Sequence, residues 1–514
     1  MPFRNRAIGL SIAFLGIFAA AGLFALIGTL LWAHHEFGPV ESMIAIQAEL
    51  FRNGRGLYHN FGHYPFIVTP YGPVFYVLAV ALHTLSIPWL QSERLVSLLA
   101  LLATFWIAWR ILVLAVSDRR AQLAGLLLVG ASANLCAWGT IGQTDMLAVC
   151  FSMGAFVSFL EWRRRRTGGS LAAAGVLVIF AVFTKQTALS AGCAIAVCLL
   201  LEDRKRGALW IAAVGGAGAS IAFLLNRATQ GNFFSNAFVA NINPYAGWKL
   251  YEQVKASVLF GFGLWILTAA GLRSFDRESR SRSLPLYIYT TFAIAVWLAT
   301  SPKVGSEPNY QLETLLLLAL CAACALDRLR FFEKLETGDT SWVTLLQIPL
   351  LLQIVLNIGL TFKMTAIRVE HERKFRKETA LLTPVLAARP GPLLTWQYDI
   401  TLQSGRPLEL DVWFYTLLVN AGRIDPNEVL EDLAERRFRT IILGMNVFDS
   451  AGSRWRNAET LFLPETHLDE IRKHYRLVAH VAGPYLGGDY VYEPKPDGEQ
   501  TGLLTTMGAE SSLP

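Results

Sequence analysis

Apolar residues in this chain run in long blocks separated by short polar turns: Ile8–Ala33, Leu95–Val116, Ala121–Trp138, Met146–Leu160, Leu171–Phe183, Thr187–Leu201, Ala208–Leu225, Ala256–Leu272, Leu284–Ala299, Leu312–Ala325 and Ser341–Phe362. Crossing a bilayer takes roughly 20 apolar residues as helix, because hydrocarbon leaves no partner for an unsatisfied amide, so the pattern predicts about 11 membrane spans. The first block follows Arg4 and Arg6 as a signal peptide would, but it is too long for one and is read as a retained anchor. After Phe362 the pattern changes. Ile367–Glu378 is dense in charge, and short apolar runs such as Leu393–Trp396 and Thr440–Leu443 then alternate with Pro/Gly turns and a helical stretch at Asn427–Arg436. The predicted fold class is therefore an all-α polytopic membrane domain over residues 1–366. A soluble α/β domain over 367–496 and a disordered tail from 497 to 514 complete it.

The stretch Tyr71–Leu90 is apolar but carries Pro73, His83 and Pro88, and the positive-inside rule decides its status. The basic clusters are Arg4/Arg6, Arg110/Arg119/Arg120, Arg163–Arg166, Arg204–Arg206, Arg273/Arg277/Arg280/Arg282 and Arg328/Arg330/Lys334. If Tyr71–Leu90 does not cross, all of them share one side. It is thus read as a helix lying in the outer interface, as Tyr71, Tyr76 and Trp89 favour. The N-terminus is then cytoplasmic, and the first loop and the C-terminal domain of this multi-pass protein lie outside.

Composition agrees: of 514 residues 53% are hydrophobic and only 16% charged, against about 25% charged in soluble chains. The net charge of +6 sits on loops that topology explains, so it gives no support to nucleic-acid binding. The six cysteines all fall in apolar blocks and read as small buried hydrophobes; Cys321 and Cys324 form a lone CxxC without a second pair.

Candidate chemistry collects in the outward turns. The first loop opens His34-His35-Glu36-Phe37-Gly38-Pro39-Val40-Glu41, continues as the amphipathic Ser42–Arg52, and turns at Asn53-Gly54-Arg55-Gly56-Leu57-Tyr58. A carboxylate at a low-dielectric wall can serve as a general base, although Glu36 and Glu41 also suit a helix boundary. The second turn, Gly139-Thr140-Ile141-Gly142-Gln143-Thr144-Asp145, has an acid that either caps a helix or works in a site. Lys185, in Phe183-Thr184-Lys185-Gln186-Thr187, either snorkels to the interface or binds a lipid phosphate. The fourth turn, Ser301–Tyr310, brings Lys303, Glu307, Asn309 and Tyr310. His34, His35 and His63 are candidate ligands for a divalent cation, magnesium or manganese, beside Glu36. In the C-terminal domain Trp396, Tyr398, Trp413 and Tyr415 are either core residues or platforms for sugars.

The order of these turns, an acid after span one, Leu57-Tyr58, Gly-Gln-Thr-Asp, Thr-Lys-Gln-Thr and Lys-x-Gly-Ser-x-x-Asn-Tyr, resembles the GT-C superfamily of integral-membrane glycosyltransferases. More narrowly it is similar to the bacterial branch related to protein O-mannosyltransferases and lipid A aminoarabinose transferase (glycosyltransferase family 39-like). The resemblance implies a polyprenyl-phosphate-linked sugar donor, a glycan, lipid or protein acceptor, and transfer on the outer side of the membrane. It places Glu41 nearest the first-loop acid, with Glu36 as the alternative, because Val40 stands where the family's pair begins with Asp. Asp145 matches the second acid, and Lys185 and Lys303 the cations that offset the departing phosphate. Tyr58, Tyr71, Gln143, Glu307, Asn309 and Tyr310 become candidate substrate contacts. A transporter or flippase is the rival reading, against which stand the lack of an internal repeat and the gathering of polar residues at one edge.

Overall fold

The computed structural model describes residues 2–241, 243–273, 277–338, 341–449, 463–483 and 488–496; the tail expected to be disordered lies outside them. Two compact units emerge: residues 1–59 with 69–373, and residues 60–68 with 374–514.

The first unit is helical. Among the described residues eight helices are long and apolar enough to cross a membrane: Leu10–Trp32, Trp89–Ala115, Thr144–Arg165, Arg204–Ala228, Gly247–Leu272, Arg282–Thr300, Pro308–Arg328 and Thr344–Ala387, the last continuing into the second unit. Three further expected spans are shorter. Gly168–Thr184 and Ser190–Glu202 have 17 and 13 residues. The block Ala121–Trp138 is broken into Arg119–Gly130 and Ala133–Trp138. The break arises because the Ser132 hydroxyl accepts from the Leu135 amide while Asn357, from a neighbouring helix, accepts from the Ala133 amide at 3.1 Å. Gln353, one turn before Asn357, accepts from the Gly263 amide at 2.9 Å and donates to the Phe260 carbonyl at 2.6 Å. Such side chains join helices where apolar burial gives no preference for one partner.

Within Tyr71–Leu90 the helix is only Pro73–His83. Its 11 residues rise about 16 Å, roughly half a hydrocarbon core. Basic residues of the later clusters gather at one end of the bundle, where Arg110 pairs with Glu161 and Arg206 lies over Trp162. Arg163 pairs with Glu202 at 2.5 Å, Arg282 donates to Ser117 at 3.1 Å, Arg120 pairs with Glu336, and Asp327 accepts from the Ser117 and Asp118 amides. Asp145 lies at the opposite end of the helix that ends in Arg163–Arg165. All six cysteines are free, and Cys193 is exposed where burial was expected.

The second unit carries a four-stranded sheet of order β1-β2-β4-β3, with β1 Leu393–Thr395, β2 Thr440–Leu443, β3 Tyr475–Val481 and β4 Asp489–Pro494. The first pair is parallel and the others antiparallel. The two apolar runs of the sequence are β1 and β2, and the expected helix, at Asn427–Ala434, lies between them after two others, Tyr398–Ser404 and Val412–Asn420. Strands β3 and β4 escaped the sequence reading because their buried positions are interrupted by polar ones. The aromatic side chains here serve the core. Tyr398 donates to Asp411 at 2.6 Å, Trp396 to Asp489 at 2.9 Å, and Tyr415 meets His467 at 2.8 Å.

Candidate active site

Glu41 lies in the first turn of the helix Pro39–Arg52, started by Pro39 at a position where its missing amide costs nothing. It is fully buried and its carboxylate is filled. Arg94 donates from Nε and Nη2, each at 3.0 Å, and the Gly142 and Phe37 amides each donate at 2.6 Å. Burial works to raise this carboxyl, but the charge and hydrogen bonds of Arg94 with the two amides outweigh it and hold the pKa below the ordinary value. Arg94 also reaches the Ala33 and His35 carbonyls at 2.9 and 2.6 Å, and stacks on Phe37. A carboxylate engaged in this way has no lone pair left for an acceptor hydroxyl. So engaged, Glu41 joins the first loop, the helix Trp89–Ala115 and the second turn as a staple, a different arrangement from the free base expected of it. Glu36 is also buried and does not line the cleft described below.

Beside this staple stands Glu93, buried and with neither oxygen hydrogen-bonded. Gly142 lets both acids approach, since a Cβ there would sit 2.7 Å from Glu93 Cβ and 3.3 Å from Glu41 Oε1. Sequence reading had no signal for Glu93 or Arg94, which look like the polar start of a span.

The second turn carries its acid into the site. Thr144–Arg165 and Gly168–Thr184 form an antiparallel hairpin around Arg166, so the N-terminus of one meets the C-terminus of the other. Asp145 and Lys185 thereby come together, Nζ to Oδ1 at 2.5 Å, both nearly buried. Each sits at the helix end whose dipole favours its charge. The Lys185 ammonium lies 4.4 Å from the Tyr310 ring centroid and 5.9 Å from that of Tyr71. Tyr71 reaches this place because Gly72 passes against Phe183, whose carbonyl would be 1.9 Å from any Cβ. Burial pulls the Lys185 pKa down, but Asp145, Tyr310 and Tyr71 more than restore it, and the net direction is upward.

A small cleft of ≈ 50 Å³ opens beside this pair, lined by Asp145, Ser152, Lys185, Trp297, Asn309, Tyr310 and Glu313 among apolar and threonine side chains. Asp145 Oδ2, Asn309 Oδ1 and Trp297 Nε1 are buried there without hydrogen-bond partners. Buried polar atoms are normally satisfied, so orphans clustered on a cleft point to a ligand or ordered water. Glu313 was missed by sequence reading because it lies inside an apolar run, in the first turn of Leu312–Arg328.

Lys303 hangs close by. Its ammonium donates to the Asn241 carbonyl and, at 2.9 Å, to Asn241 Oδ1, while the two loops pair through Val304 N to Pro244 O and Ala246 N to Pro302 O. Burial and then the Lys185 charge lower its pKa to about 8, with no carboxylate paired to it among the described residues. Lys303 thus loses its proton as pH rises through about 8, whereas Lys185 keeps its own. If Lys303 supplies charge to a bound phosphate, kcat/KM for the donor acquires an alkaline limb at that pH, which Lys303→Arg removes and Lys303→Met replaces by a uniformly low value.

Other candidates serve elsewhere. Tyr58 donates to the Tyr71 carbonyl at 2.9 Å and so orders that segment. Gln143 meets Ser97 through its backbone, and Glu307 pairs with Lys249 at 3.5 Å. The His34 and His35 amides donate to Glu372, and His63 pairs with Glu428 in the second unit at 3.4 Å. Among the described residues no three His, Cys, Asp or Glu side chains group as a metal ion requires.

Residues 70–226, which carry Tyr71, Asp145 and Lys185, match the family model of dolichyl-phosphate-mannose-protein mannosyltransferase. No curated protein matches the chain. Among solved structures it is similar to ArnT from Cupriavidus metallidurans in the apo state, at TM-score 0.61 and 15% identity over 94% of this chain and 98% of that one. The same protein bound to undecaprenyl phosphate gives TM-score 0.58 at 15% identity, over 93% and 98%. Arabinofuranosyltransferase AftD from Mycobacteria gives 0.51 at 15% identity, over 94% of this chain and 41% of that one. The chain has the GT-C fold of integral-membrane glycosyltransferases.

Proposed function

We propose that the chain moves a sugar from a polyprenyl-phosphate-linked donor to an acceptor hydroxyl at the outer face of a bacterial inner membrane, in the synthesis of a cell-envelope glycan, glycolipid or glycoprotein. The observation that carries this reading is the buried Lys185, held by Asp145 and two tyrosine rings at the wall of a cleft with orphaned polar atoms. A cation in low dielectric offsets the charge that develops on a departing phosphate, and unpaired Asp145 Oδ2, Asn309 Oδ1 and Trp297 Nε1 offer acceptors and a donor to sugar hydroxyls. The ArnT neighbour bound to undecaprenyl phosphate supports a lipid phosphate as the donor's carrier. The basic clusters at the far end of the bundle support a cytoplasmic N-terminus with the cleft outside. Asp145 orients Lys185, Lys303 adds a second cation, and Glu41 positions the turn that carries Asp145.

The test supplies purified protein in nanodiscs with polyprenyl-phosphate hexoses and pentoses plus an envelope extract as acceptor, and follows release of the lipid phosphate. Release that depends on Lys185 supports the reading. Solute uptake by proteoliposomes with no lipid phosphate released would replace it by the transporter.

A further inference from the structure

Inverting displacement needs a base for the acceptor proton, and the first-loop acid that the fold's relatives would suggest is taken up by four hydrogen bonds. Building on the proposed glycosyl transfer, we infer that Glu313 is its general base.

Four acids lie in this region, and geometry separates them. Glu41 and Glu93 are wholly buried and neither lines the cleft. Asp145 lines it, but its carboxylate is bound to the Lys185 ammonium at 2.5 Å. Protonating Asp145 would strip the buried cation of its counter-ion as the phosphate begins to leave. Glu313 lines the same cleft, keeps part of its side chain exposed, and pairs with no cation among the described residues. Its partners are neutral hydroxyls: that of Tyr289, fully buried, donates to Oε1, and those of Ser190 and Ser152 lie beside the carboxylate. That bond fixes the carboxylate without quenching it. The first-turn position on Leu312–Arg328 puts Glu313 one turn from Asn309 and Tyr310.

The step balances within these residues and the two substrates. The acceptor oxygen forms a bond to the anomeric carbon, the bond from that carbon to the phosphate oxygen breaks with its electron pair staying on the phosphate beside Lys185, and the acceptor proton passes to Glu313. The site is restored when that proton leaves to water.

The test compares Glu313→Gln and Glu313→Asp with wild type for lipid-phosphate release, with kcat and donor KM measured separately across pH and a thermal midpoint for each protein. Loss of a general base is expected to lower kcat by roughly 10²–10⁴-fold in Glu313→Gln, with donor KM and thermal midpoint little changed, while Glu313→Asp keeps an intermediate rate. Wild-type kcat should fall on the acid side, independently of whether either variant folds. A folded Glu313→Gln with wild-type kcat, or a flat acid side in wild type, overturns the base while leaving glycosyl transfer standing. A wild type that releases no lipid phosphate overturns the transfer reading and the base with it.

Discussion

Lys185→Ala is expected to lower turnover by roughly 10²–10³-fold, the loss typical when one preorganised stabiliser of transition-state charge is removed from a desolvated site. The lysine stands where water cannot replace it: its side chain is 8% exposed, its ammonium is 2.5 Å from Asp145 Oδ1, and Tyr310 covers it at 4.4 Å. In low dielectric its attraction for a phosphate dianion is several times what it would be in water. The companion variant Asp145→Asn makes a sharper statement. Burial alone pulls the Lys185 pKa down, and the charge of Asp145 is the largest influence that lifts it. Without that charge Lys185 should behave as Lys303 does, so Asp145→Asn is expected to work near neutral pH and to lose activity as pH rises, while wild type holds its Lys185 charged. Lipid-phosphate release measured from about pH 6 to about pH 9 checks both. Turnover within a few-fold of wild type in folded Lys185→Ala would remove this lysine from the site.

How far the sequence foretold this arrangement depends on how local each signal is. Asp145 and Lys185 were legible because outward turns between apolar blocks are few, and an acid and a lysine at the edge of hydrocarbon are costly enough to need a reason. Their meeting follows from the hairpin that separates them. Long spans were legible for the same reason, but the break at Ser132 was not, since it needs Asn357 from a helix more than 200 residues away to satisfy the Ala133 amide. Glu41 was found, since spacing identifies an acid after span one, but the group that fills its carboxylate, Arg94, comes from another helix and leaves no mark in that spacing. Glu313 was passed over because it is the second residue of the apolar block Leu312–Ala325, whose leucines outweigh one acid in any window reading. Asn241, which holds Lys303, lies in a polar loop whose sequence bears no motif; only the pairing of that loop with Pro302–Val304 gives it a place.

Arg94→Leu is expected to cost about 3–5 kcal/mol of stability, because removing one partner of a buried ion pair leaves the other charge uncompensated. Glu41 would remain fully buried, hydrogen-bonded to two amides and to no cation, the His35 carbonyl would lose the Arg94 donor, and the Ala33 carbonyl would keep only Gln91. Glu41→Gln should fall in the same direction by less: its amide nitrogen has to face either the Phe37 or Gly142 amide or the Arg94 guanidinium, all of them donors. Gly142→Ala tests the staple without touching a charge, since the new Cβ would lie 2.7 Å from Glu93 Cβ and 3.0 Å from Glu93 Oε2. Thermal midpoints in detergent, read beside turnover, separate the two roles open to Glu41. A general base gives a Glu41→Gln protein that melts where wild type does and is inactive. A staple gives one that melts earlier, as Gly142→Ala and Arg94→Leu do, and whose activity falls with the share of protein still folded, because what all three disturb is the turn that aims Asp145 at Lys185.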